Sequence, residues 1–252
     1  MVTTRLRSLR RLNLAAGVLH LGSAAAIVIL ANGFSLPITA RYMAGQPGSD
    51  RYQLVGWGHV PMSLWIVLFF ALSALAHFTV AGWRWPQYQR RLANQQNPYR
   101  WLEYALSSSV MILAIAQLTG ISDIAALVAL VGANASMIGF GWIQERYETP
   151  GGSLLPFWLG CGAGAVPWIA VGVYLFAPGA SQHAPGFVDG IYFTIFALFN
   201  CFAIVQFLQY KRVGRFADYL VGERTYVILS FVAKSLLAWQ VFASVLVGSA
   251  AH

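Results

Sequence analysis

The sequence predicts an all-α membrane protein, a bundle of seven transmembrane helices forming one domain over residues 1–252. Three observations carry that prediction. Hydrophobic residues make up 58% of the chain and charged residues 10%, where a soluble chain carries roughly a quarter charged, and mean hydropathy is +0.62. The scarce charges divide the chain into apolar runs, each near the ~20 residues needed to cross ~30 Å of hydrocarbon. The net charge of +8 sits in short clusters between those runs, which suits an orientation signal and a lipid bilayer rather than nucleic acid.

The runs are Leu12–Asn32, His59–Gly82, Pro98–Leu118, Ile124–Trp142, Leu154–Phe176, Phe187–Gln209 and Thr225–Val247. The third and fourth are separated by Thr119-Gly120-Ile121-Ser122-Asp123, enough for a tight turn. One uncharged stretch from Glu148 to Asp189 is too long for a single helix. It breaks at the turn-rich linker Ala177–Gly186. The first outer connection, Gly33–Gly58, holds two β-prone runs around Gly45-Gln46-Pro47-Gly48. This pattern fits a β-hairpin, with an irregular loop as the alternative. Cys161 and Cys201 fall within spans and read as small buried hydrophobes. A cleaved leader is the rival reading of the N-terminus, but Leu12 to Ala40 runs without a charge for longer than a leader's apolar core.

Thirteen of the sixteen Lys and Arg residues fall on the N-terminal side of the spans. Arg41 and Arg51 fall on the other side, and Lys234 lies inside a span. The bias predicts a cell-membrane protein with its N-terminus cytoplasmic and its C-terminus extracellular.

Lys234 is the central residue. It lies nine residues past Thr225, ~13 Å along a helix axis, where a lysine costs ~2.5–3.5 kcal/mol or more. An amine in an apolar pocket forms Schiff bases with carbonyl compounds; the bland alternative is an ion pair that locks the bundle. Either use needs a carboxylate. Asp50, Asp123, Glu145, Glu148, Asp189, Asp218 and Glu223 read as loop or span-end residues, leaving Glu103, one to two turns inside the third span. Glu103 pairs either with Lys234, bent back toward it, or with Arg100 at i−3. Ser107 and Ser230 each lie one turn from an ion, on its own helical face.

His20 and His77 are also intramembrane, as proton acceptors or as hydrogen-bonded structural residues. Neither has a Cys or a second His at i+3 or i+4, so metal-ligand spacing is missing. Phe193, Phe196, Phe199 and Phe202 recur every three residues on the sixth span. Pro167-Trp168 interrupts the fifth, and Trp239 follows Lys234. Gly160, Gly162 and Gly164 allow close approach of a helix or a rigid ligand.

The stretches Arg100-Trp101-Leu102-Glu103-Tyr104-Ala105-Leu106-Ser107-Ser108-Ser109-Val110-Met111 and Ser230 to Gln240 resemble those of the heliorhodopsins. The likeness covers the whole chain, including the long first outer loop and the cytoplasmic N-terminus. It implies a rhodopsin-like bundle with all-trans retinal on Lys234 as a protonated Schiff base, Glu103 as counterion and Ser230 tuning it. It also implies that Tyr104, Ser107, Ser108, Asn134, Met137, Trp168, Phe199 and Asn200 lie near the chromophore, with His20 and His77 in a water-holding cavity. A homodimer involving the first outer loop is a further implication. Arg100-x-x-Glu103 is similar to the third-helix pattern of microbial pumps. By the same likeness, Ser230 stands where pumps carry a second counterion, and Ala114 where outward pumps carry a proton donor.

The function implied is light sensing, without enzymatic activity: photoisomerisation drives a slow cycle without net ion transport and signals to a soluble cytoplasmic partner whose identity is open. The alternatives are a light-driven transporter or channel of the same fold, a light-independent transporter with a structural Lys–Glu pair, and a lysine-dependent membrane enzyme. Lys211-Arg212-Val213-Gly214-Arg215 reads as an orientation signal or a docking patch.

Overall fold

Apolar runs become helices because hydrocarbon offers no partner for a bare peptide group. The computed structural model describes residues 2–181 and 183–246. Among these it holds eight helices: α1 (Val2–Leu30), α2 (Met62–Ala81), α3 (Trp85–Ala93), α4 (Pro98–Leu118), α5 (Ile124–Tyr147), α6 (Leu155–Phe176), α7 (Gly186–Tyr210) and α8 (Tyr219–Leu246). All but α3 are long and apolar enough to cross a membrane. Val247, the expected end of the last span, and Gln182 of the expected linker lie outside the described residues.

The α4 boundaries match the sequence reading residue for residue, and local chemistry explains them. Asn97 caps the helix by accepting the Arg100 amide, and Pro98 sits in the first turn. Asp123 caps α5 in the same way, accepting from Ala125 and Ala126. Three other boundaries differ by five residues or more. Helix α1 starts ten residues before the expected Leu12, α8 six before Thr225, and α5 runs five past Trp142. Hydropathy marks the bilayer, whereas the helix continues into the interface while its backbone bonds are satisfied. Arg5, on the extension of α1, pairs with Asp218 at 2.5 Å. Helix α3, unexpected, is short and amphipathic; it buries Tyr88 and Leu92, and Arg90 and Arg91 occupy its last turn.

The hairpin is present. Strands β1 (Ser35–Met43) and β2 (Tyr52–Pro61) pair antiparallel, with a register shift between Ile38 and Thr39. His59 therefore belongs to β2, and α2 begins three residues later than expected. The hairpin is fastened over the α4–α5 turn: Thr39 N donates to Ser122 O at 2.9 Å, and Gln117 Nε2 donates to Pro37 O at 3.2 Å.

Helix α4 is the central element, with 61% of its most apolar window buried against 22% for α5 and α7. Its Met111, Ile112 and Ile115 pack with Phe69, Phe70, Ile191, Ile195 and Leu237 into the main core. The large side chains left exposed on α5, α6 and α7 face outward, as lipid contact requires. Pro167 lies within α6, and that helix continues through it.

Candidate functional site

Lys234 projects from α8 into the middle of the bundle, 3% exposed, and its Nζ lies 3.1 Å from Glu103 Oε1. Ser230 Oγ, one turn earlier, accepts from Nζ at 2.7 Å. Glu103 is buried on α4, and its Oε1 accepts from Ser73 Oγ of α2 at 2.5 Å. Three helices thus converge on one ion pair. At an effective dielectric of ~20 and ~4 Å, such a pair gains ~4 kcal/mol, which offsets much of the cost of burial. Arg100 is not its partner.

Arg100 instead pairs with Glu145 of α5 and Glu223 of α8, all three buried. Both acids lie at span ends, as expected, Glu145 two residues from the end of α5 and Glu223 in the first turns of α8; their burial against Arg100 is what the sequence did not show. Asn97 Nδ2 donates to Glu223 at 2.7 Å, its backbone amide donates to Glu145, and Tyr88 OH lies 3.4 Å from Glu223. Burial raises the Tyr88 phenol above the ordinary tyrosine range, so it stays a donor. The Arg100 guanidinium also lies over Tyr226 and Trp101, 4.1 and 4.6 Å from their ring centroids.

On the hairpin side of this layer an apolar cavity of about 110 Å³ runs to Lys234. Tyr104, Ser107, Ser108, Met137, Phe199 and Ser230 line it, together with Trp101, Phe202 and Tyr226. A Cβ on Gly141 would stand 2.5 Å from the Trp101 ring, so bare backbone there makes room for that wall of the slot, while Gly160, whose Cβ would stand 3.2 Å from Phe140, lets α6 approach α5 closely. An amine closing one end of an aromatic slot, with its counter-charge beside it, fits a flat apolar aldehyde.

The remaining expected residues sort into three groups. Asn134 and Trp168 stand one layer behind the lining. Asn134 donates to Ser108 Oγ at 2.7 Å, and the Trp168 ring packs edge-on against Phe199. Asn200 is not brought to the cavity: it is exposed, and its Nδ2 donates back to Phe196 O. Phe193, Phe196 and Trp239 are also exposed, so the every-third-residue stripe splits between Phe199 and Phe202 inside and the others outside. Gly160 and Gly164 face α5 through Phe140 and Met137, while Gly162 faces open space.

His20 and His77 are brought together, their rings stacked 5.5 Å apart. His77 Nδ1 donates to Asn13 Oδ1 at 2.8 Å. His77 and Asn13 line a cavity of about 30 Å³ with Glu103, Arg100 and Glu223, room for a water or two. Sequence reasoning missed Ser73, Asn13, Arg100's partners and Tyr226. Helical spacing carried a signal for all but Glu145: Ser73 lies one turn before His77, Asn13 two turns before His20, and Glu223, Tyr226, Ser230 and Lys234 follow one face of α8.

The heliorhodopsin family model matches residues 9–246. No curated protein sequence matches the chain. Among solved structures, the rhodopsin of Exiguobacterium sibiricum superposes with a TM-score of 0.65 at 15% identity, over 97% of this chain and 99% of that one. A light-driven proton pump from Leptosphaeria maculans gives 0.64 at 15% identity, over 94% and 95%. The light-driven proton pump of Coccomyxa subellipsoidea gives 0.61 at 18% identity, over 94% and 96%. At these identities the likeness is one of fold.

Proposed function

Since this chain belongs to the heliorhodopsin family, we propose that it is a light sensor that carries all-trans retinal on Lys234 and moves no net ion across the membrane. The family and the rhodopsin fold imply the retinal chromophore; the isomer and the sensory role are the proposal. When bound, retinal supplies absorption of visible light and isomerisation about a double bond. The side chains supply the rest. Lys234 offers the amine, and Glu103 balances its positive charge at 3.1 Å. Ser73 and Ser230 hold the two ions in register.

One observation carries the no-transport reading: among the described residues, the histidine and acid side chains that share a cavity with Glu103 lie toward the basic end. Toward the basic end, Glu103 shares a cavity with His77, Asn13, Arg100 and Glu223. His77 Nδ1 is engaged by Asn13, so Nε2 is the atom left to take a proton. Toward the hairpin, α4 has no acid from Tyr104 to its end, and Ala114, Ile115 and Ala116 are fully buried apolar packing. A proton that leaves Lys234 is thus held near His77 and returns by the same route.

The test is illumination of retinal-loaded vesicles with a pH electrode, with and without a protonophore, beside voltage-clamp currents. Silence in both is expected. A sustained protonophore-sensitive pH change or a stationary photocurrent would make the protein a transporter. Failure to form a visible band with retinal would leave a structural Lys–Glu pair. The cytoplasmic N-terminus, a soluble signalling partner and a homodimer using the hairpin belong to the same proposal.

A further inference from the structure

The geometry points to a second binding site, for an anionic glycerophospholipid, in a groove at the basic end of the bundle, between the α3–α4 connection and the last two turns of α5. The groove has a volume of about 570 Å³. Its lower part is apolar: Pro98, Gly139, Trp142 and Ile143 line it, Trp142 and Ile143 are exposed, and nothing lies within 4 Å of where a Gly139 Cβ would be. Its upper rim carries Arg91 and Arg146, both exposed.

Charge decides the occupant. The only acid lining the groove is Glu145, whose carboxylate is already engaged by Arg100 and the Asn97 amide. Among the described residues no carboxylate pairs with Arg91 or Arg146. Gln96 steadies Arg146 by accepting from its Nη1 at 3.3 Å. The positive end of the α4 dipole opens at Pro98, on the same side. An apolar trough on an outward-facing helix, topped by two uncompensated guanidiniums at interfacial depth, matches an acyl chain below and a phosphate above. A zwitterionic headgroup would bring its own cation against the arginines. This site is separate from the Lys234 cavity and does not rest on the light-sensing reading.

The experiment places the full chain in nanodiscs of equal parts phosphatidylcholine and phosphatidylglycerol and reads retained lipid by native mass spectrometry. Phosphatidylglycerol is expected to be enriched on the protein. Arg91→Gln/Arg146→Gln should lower that preference about 30-fold, at ~1 kcal/mol per interfacial arginine. Arg7→Gln/Arg11→Gln, exposed at the same end but outside the groove, should leave it unchanged. Gly139→Leu, filling the trough, should reduce retention with thermal unfolding unaltered. Equal loss in both arginine pairs would reduce the effect to general surface charge and overturn the site. So would displacement of the lipid by inorganic phosphate alone, which would mean a free-anion site. Dissociation of dimers by Arg91→Gln/Arg146→Gln without change in lipid would place a second copy in the groove, and the proposal would fall.

Discussion

Lys234 Nζ and Glu103 Oε1 stand 3.1 Å apart in the bundle interior, each buried and each bonded to one serine hydroxyl, from Ser230 and Ser73. Because each ion is the other's sole charge partner in the described salt bridges, removing either exposes the role of both.

Lys234→Ala should abolish the visible band of the retinal-loaded protein, since Lys211, the other lysine, lies beyond the end of α7. Glu103, left without its cation, should take up a proton, so the bundle should still purify as a folded species. Absorption spectra and thermal unfolding check both halves. A retained visible band would move the attachment elsewhere.

Glu103→Gln should red-shift the band and move the pH at which it is lost downward by ~1–3 units, because a neutral amide no longer favours the protonated amine. The sign follows from the charge: without the nearby anion, the cation gives up its proton at lower pH. A spectrophotometric titration reads it directly. An unmoved midpoint would refute Glu103 as the counter-charge.

Arg100→Leu should destabilise the protein by about 3–5 kcal/mol, because Glu145 and Glu223 are left as uncompensated buried carboxylates. Adding Glu145→Gln and Glu223→Gln should restore part of that loss. Thermal unfolding of the three proteins gives the comparison; equal stability of parent and Arg100→Leu would show that the triad holds nothing.

Gly141→Val should cost about 1–3 kcal/mol and lower retinal uptake, because its Cβ would meet the Trp101 ring at the wall of the slot. Gly162→Val, with nothing within 4 Å of its Cβ, serves as the control. Band recovery after retinal addition separates the two.

Much of the fold was legible because charge is expensive in hydrocarbon. That cost confines Lys and Arg to the ends of spans and makes Lys234 conspicuous. The starts of the third and fourth spans match the helices because Asn97-Pro98 and Asp123 set those N-termini by local chemistry. The hairpin showed as β-prone runs around Gly and Pro. Helix α3 did not show, because Arg84, Arg90 and Arg91 read as an interfacial charge cluster although they sit on a helix or at its edge.

The site was legible in part. Glu103 emerged as the one acid read as lying within a span; Glu145 and Glu223 do lie at span ends, but their burial as partners of Arg100 was not legible, because it depends on three helices meeting. Asn200 and Phe199 are neighbours in sequence but face opposite ways, exposed surface and cavity wall. Composition and spacing alone determined the seven spans, the hairpin pattern and Lys234 as the anomalous charge, since each depends on transfer energy or local backbone chemistry. The tertiary structure decided that Ser73 of α2 serves Glu103, that Arg100 ties α4 to α5 and α8, and that His20 stacks on His77. Those choices depend on the rotation of each helix about its axis, which is set by packing against its neighbours rather than by residues along its own length.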